Sequence, residues 1–147
     1  MGSTFVEFRN KGFEANDATI EIWLLFLVDE IDRVTSPPDW LKETREEWHL
    51  QATAGFGFGV MPGLDNVVTS AERRTVILDL STKALNRLHD YGPTIKKDEL
   101  NAIRKGGDKV FFTKDLPSEA FEKVGEYFIK LLREELKPDE NDTRVFL

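Results

Sequence analysis

NDATIEIWLLFLVDEIDRV, residues 16–34, is the most apolar and most helix-like stretch of the chain. Ile20, Trp23, Leu24, Leu27, Val28 and Ile31 recur at i, i+3, i+4 and i+7, the spacing of one helix face. Ile22, Leu25 and Phe26 carry apolar surface around the rest of the cylinder. A helix that is apolar on most sides must be covered on most sides, so this one is placed at the centre of the domain. Its uncharged run stops at Val28, and Asp29, Glu30 and Asp32 follow. The helix is therefore expected to be buried over its first turns and to emerge at its C-terminal end.

Working downstream, Thr35-Ser36-Pro37-Pro38 breaks the helix, because a proline disfavours helical backbone in the residue before it. Ser36 followed by Pro37 also reads as a new start, giving a second helix over 37–51. This helix carries Trp40, Leu41, Thr44 and Trp48 on one side, with Glu43, Glu46 and Glu47 on its wet side. Residues 52–63, ATAGFGFGVMPG, alternate glycine with Phe56, Phe58 and Val60 and predict an ordered loop. Thr69-Ser70-Ala71-Glu72 has the form of a capping box. A third helix follows to Tyr91, with Val76, Ile77, Leu80, Ala84, Leu85 and Leu88 on its inner face and Gly92-Pro93 as its stop. Residues 98–105 form a short helical turn. The last main helix begins near Pro117 or Ser118 and runs to Leu136.

Upstream, TFVEFR at 4–9 reads as an edge strand or an extended arm, closed by a turn at Asn10-Lys11-Gly12. Phe13 then precedes a helix cap at Asn16 or Asp17, where it could staple the start of the helix. The patch at 110–113 is extended, either covering the core or pairing with the first arm. The fold class is mainly α. We expect a single-domain bundle of four main helices plus one short helix around the central apolar helix 16–34, with minor extended segments near 4–9 and 110–113. The 147 residues make one globular domain, with a flexible tail expected at 138–147.

Composition narrows the function classes. The formal charge is −7. That disfavours nucleic acid, which calls for positive surface to displace counterions, and it disfavours anionic membrane surfaces. It is compatible with a basic protein partner. The chain has no cysteine, hence no disulfide frame, thiolate nucleophile or cysteine-bound zinc. The first residues lack the basic start and apolar run of a signal peptide, and Val6 occupies the place myristoylation reserves for Ser or Thr. A cytoplasmic protein is expected, which makes the Asn141-Asp142-Thr143 glycosylation triplet a chance match.

Chemical motifs are sparse. Glu46-Glu47-Trp48-His49 supplies Glu-x-x-His, half of a carboxylate-bridged di-iron site. The other histidine, His89, has Asn86 three residues before it, and Glu46 and His49 fall away from the inward stripe of their helix. No metal or cofactor site is expected. There is no Gly-x-Ser-x-Gly elbow, no phosphate loop ending in Gly-Lys-Ser/Thr, and Val60 stands where a dinucleotide fingerprint would need its third glycine. No catalytic motif is found, which leans against an enzyme.

Two functional readings follow. In the first, Asp29, Glu30, Asp32, Glu43, Glu46 and Glu47 form an acidic corner that docks a basic protein. In its general character (small, acidic, cysteine-free, without a catalytic motif) the chain resembles immunity proteins that neutralise toxins. In the second, a small-ligand or enzymatic pocket lies under residues 52–63, lined by Trp48, His49, Phe56 and Phe58. The apolar end Val145-Phe146-Leu147 is expected to fold back onto the domain rather than to be offered to a partner.

Overall fold

A computed structural model describes residues 2–54, 61–105 and 111–137. In chain order these form β1 (Ser3–Phe8), β2 (Lys11–Asn16), α1 (Asp17–Asp32), α2 (Asp39–Thr53), α3 (Leu64–Val67) and α4 (Ala71–Asp90). Then come β3 (Thr94–Ile95), α5 (Lys97–Arg104), β4 (Leu116–Pro117) and α6 (Glu119–Leu132). The protein is mainly α, as the sequence periodicity predicts.

α1 occupies the centre. It packs against α2, α4, α5, α6 and β2. From Ile20 to Ile31 every residue except Glu21 is buried, Leu25 and Phe26 among them. Its start is fixed by Asn16, whose side chain accepts a hydrogen bond from the Ala18 N–H at 2.9 Å. Trp23 meets Phe128 of α6 edge-on at 5.7 Å, and Trp48 of α2 meets the same ring at 6.4 Å. The α1–α6 crossing is close because Gly125 lacks a side chain: a Cβ there would stand 2.7 Å from the Trp23 ring.

The N-terminal arm is a hairpin, which corrects the reading of residues 10–16 as a turn and a helix staple. β1 pairs antiparallel with β2, with Val6 opposite Phe13 and Thr4 opposite Ala15. Thr4, Val6 and Phe8 face inward while Ser3, Phe5 and Glu7 face out. Arg9 and Asn10 form the two-residue turn, both at positive φ (51° and 65°), as a type I′ hairpin turn demands. Phe13 packs edge-on against Tyr127 of α6 at 6.0 Å. The partner of β1 is thus β2. Phe111 and Phe112 are not in a strand; their N–H groups both donate to Asn101 Oδ1 at 2.9 Å.

Three boundaries also move. α2 begins at Asp39, two residues later than expected, because Ser36 lies at φ +53° and cannot serve as an extended cap. α4 is capped by Ser70, whose Oγ accepts from the Arg73 N–H at 3.2 Å. α6 ends at Leu132, although Leu136 is still buried. The one-turn helix α3 had no counterpart in the sequence reading. The segments around Phe56, Phe58 and Val110, the tail at 138–147 and its Val145-Phe146-Leu147 end lie outside the described residues. Among the described residues no helix is long and apolar enough to cross a membrane.

Candidate functional site

The six carboxylates expected to form one acidic corner occupy two very different environments. Asp29 and Glu30 are buried while Asp32 is exposed, so the end of α1 emerges later than expected, at Asp32. Cations brought in from other elements meet these carboxylates. The Arg87 guanidinium of α4 reaches Asp29, and its Nε lies 3.2 Å from Glu30 Oε1. That second contact is an ion pair without hydrogen-bond alignment, leaving Nε without a hydrogen bond. Lys105, just past α5, sits 2.5 Å from Asp29 Oδ1 and 2.9 Å from Asp32 Oδ2. Arg33 adds a contact to Asp29 at 3.2 Å. Arg45 of α2 grips Asp32 with Nε at 2.9 Å and Nη2 at 3.2 Å, a two-pronged pair.

The titration of these groups follows from that geometry. Burial pushes Asp29 up, but hydrogen bonds from Lys105 and Arg87 outweigh it and hold the carboxyl below its ordinary value. Asp32 behaves alike: burial raises it, and the bonds from Arg45 and Lys105 bring it down. Lys105 is raised, its burial being overcome by Asp29 and Asp32. This cluster is an internal clamp joining α1, α2, α4 and the end of α5.

The other three carboxylates face solvent. Glu43, Glu46 and Glu47 are exposed on the outer side of α2. With Leu50 they fall at i, i+3, i+4 and i+7, one helix face. Glu46 contacts Arg45 at 3.0 Å, but Arg45 is already engaged by Asp32. Lys42 lies 3.9 Å from Asp39. An open groove of about 550 Å³ runs along this face, lined by Lys42, Glu43, Glu46, Glu47, His49, Leu50 and Thr53. A second groove, about 660 Å³, lies between the end of α1, the start of α2 and α4, with Val34, Leu41, Val76 and Leu80 among its lining residues.

Trp48 and His49 point different ways. Trp48 is wholly buried, and its Nε1–H donates to the Pro62 carbonyl at 2.8 Å. It is a core residue here and lines no groove described above. His49 Nε2 lies 2.9 Å from the Arg104 carbonyl and 2.6 Å from the Lys105 carbonyl. Two carbonyl partners require that nitrogen to carry the proton, so His49 staples α2 to the end of α5 through Nε2. Phe56 and Phe58 lie outside the described residues.

Sequence reading missed Glu21, although a lone carboxylate inside an apolar run is a visible signal. Burial, then the neighbouring Asp17 charge, raises its pKa to about 7 against the opposing pull of Arg104. Arg104 in turn donates to the Thr53 carbonyl at 3.3 Å and lies 4.3 Å over the Phe111 ring. Among the described residues there is no group of three or more His, Asp or Glu placed to hold a metal ion. Comparison with protein-family models, with curated proteins and with solved structures found no match.

Proposed function

We propose that the protein is a docking domain for a basic protein partner, and that the outer face of α2 is the surface it presents. The observation that carries this reading is the unequal treatment of its carboxylates. Those at the end of α1 are neutralised from within, whereas Glu43, Glu46 and Glu47 stand in solvent beside a groove with little compensating charge. Uncompensated charge steers a partner of opposite sign and rejects one of like sign. The net charge of −7 favours a protein over a nucleic acid as that partner. An immunity-type inhibitor bound to a basic toxin is the member of this class that the chain resembles in general character.

The test is affinity capture from the source cell with wild-type protein and with E43Q/E46Q/E47Q as parallel baits. A partner held by the wild type at about 50 mM salt, released at about 0.5 M and not held by the variant is the expected result. Equal retention by both baits would remove the basis of the proposal.

One observation favours a second reading, a small-ligand or enzymatic site at Glu21 of α1. Glu21, raised to about 7 and set near Arg104, has the perturbed titration often found in functional sites. A thermal-shift screen of metabolites and divalent metals tests it: an upward shift with one ligand class, lost in E21Q, supports the site, and a flat screen rejects it.

A further inference from the structure

Four large apolar side chains are more than half exposed among the described residues: Phe5 (52%), Leu50 (58%), Met61 (70%) and Phe111 (58%). Phe5 has a local reason, since its ring covers Gly12 across the hairpin. The other three lie on the C-terminal part of α2 or are tied to it. Leu50 is one turn beyond Glu46 and Glu47 on the same face of α2. Met61 is tied to that helix by its N–H, which donates to Gln51 Oε1 at 2.5 Å. Gln51 also donates to Glu47 Oε1 at 3.0 Å. Phe111 lies under Arg104, which is bonded to the Thr53 carbonyl at the end of α2. Asn101 fixes the Phe111 backbone, so the ring is held outward by structure.

We infer that the outer face of α2, together with Met61 and Phe111, is a two-part docking surface for an amphipathic basic helix of the partner protein. Resting on the docking function proposed above, this names the kind of segment that is bound. Lysine or arginine side chains would lie along Glu43, Glu46 and Glu47, and large apolar side chains one turn further on would cover Leu50, Met61 and Phe111. From Glu43 to Leu50 the helix axis rises about 10 Å, so a segment of two to three turns covers the carboxylates and Leu50, and a longer one reaches on to Met61 and Phe111. Apolar anchors beside a polar rim are the arrangement that concentrates binding energy at protein interfaces. A second copy of this chain fits poorly as the occupant, because it would set one net charge of −7 against another.

The probe is a labelled synthetic helix of about 18 residues, with lysines on one face and leucine and phenylalanine along its next turn. A control peptide has the same composition in scrambled order. Fluorescence anisotropy is read with the whole chain at about 50 mM salt. The patterned peptide is expected to bind at least tenfold more tightly than the scrambled one. Leu50→Ser with Met61→Ser should erase about tenfold of that affinity. Both residues are exposed, and a thermal melt confirms that the double variant is folded. These serine changes leave every charge in place, so they test the apolar anchor apart from the acidic stripe. Equal binding of the two peptides, no binding of either, or unchanged binding by the serine variant overturns the inference. Self-association in light scattering that the serine variant abolishes also overturns it, in favour of a dimer. Salt-sensitive capture of a basic partner could survive any of these outcomes, so the two proposals fail separately.

Discussion

The C-terminal end of α1 and the outer face of α2 carry the same chemistry in sequence and different environments in space. Each offers three carboxylates within a few residues: Asp29, Glu30 and Asp32 on one, Glu43, Glu46 and Glu47 on the other. At the end of α1 the carboxylates are met by Arg87, Lys105, Arg45 and Arg33, and two of the three are buried. On α2 they are left in water. The sign and density of charge therefore do not decide whether a cluster is structural or open to a partner; the cations brought to it by the rest of the chain decide that.

The comparison breaks first at Asp29. Replacing it with Ala strands part of the Arg87 and Lys105 charge in a site with little solvent, and should lower unfolding free energy by about 3 kcal/mol in urea. A change no larger than a surface substitution gives would mean the clamp is loose.

Acid sharpens the same point. Asp29 and Asp32 titrate below their ordinary value when folded, so their contribution is fully present above the unfolded carboxyl range. It is lost as pH falls through the lower folded values. A wild-type stability curve should therefore drop below about pH 4, more steeply than that of D29N/D32N. Parallel acid limbs would show that these pairs add nothing to the fold.

Glu21 has the opposite sign and a smaller effect. Its pKa is raised on folding from 4.5 to about 7, so the native state holds the proton more tightly. Its share of stability is fully present below about pH 4.5 and is lost as pH rises through 7. E21Q imitates the protonated form. It should match wild type near pH 4 and exceed it by about 1 kcal/mol at pH 8, a figure reduced because the carboxyl keeps some access to water. Equal stability at both pH values would remove Glu21 as a titrating group of interest.

Much of the helical fold was legible because periodicity is a local property. The central place of residues 16–34 follows from apolar residues on nearly every side, and Leu25 and Phe26 are indeed buried. The hairpin was hidden because its turn uses Arg9-Asn10 at positive φ, where an Asn-Gly or Gly-rich pair would have announced it. Asn10-Lys11-Gly12 places the turn one residue too late, which makes the β2 residues an approach to the helix. The acidic corner was misjudged for a different reason. Arg87 lies 58 residues from Asp29 and Lys105 farther still, and no local pattern announces that they return to it. The exposure of Glu43, Glu46 and Glu47 was legible, because it needs only the wheel of one helix.

The smallest stability effect belongs to the α2 face. E43Q/E46Q/E47Q should shift unfolding free energy by no more than about 0.5 kcal/mol, since no buried cation depends on these groups. That sets the most direct experiment: urea unfolding of D29A and of E43Q/E46Q/E47Q, measured side by side at pH 7 against wild type. A large loss of midpoint for D29A with the triple variant overlaying wild type is the expected result. A triple variant that unfolds as early as D29A would contradict the division, placing the α2 carboxylates in the structure of the fold and not on a surface left open for a partner.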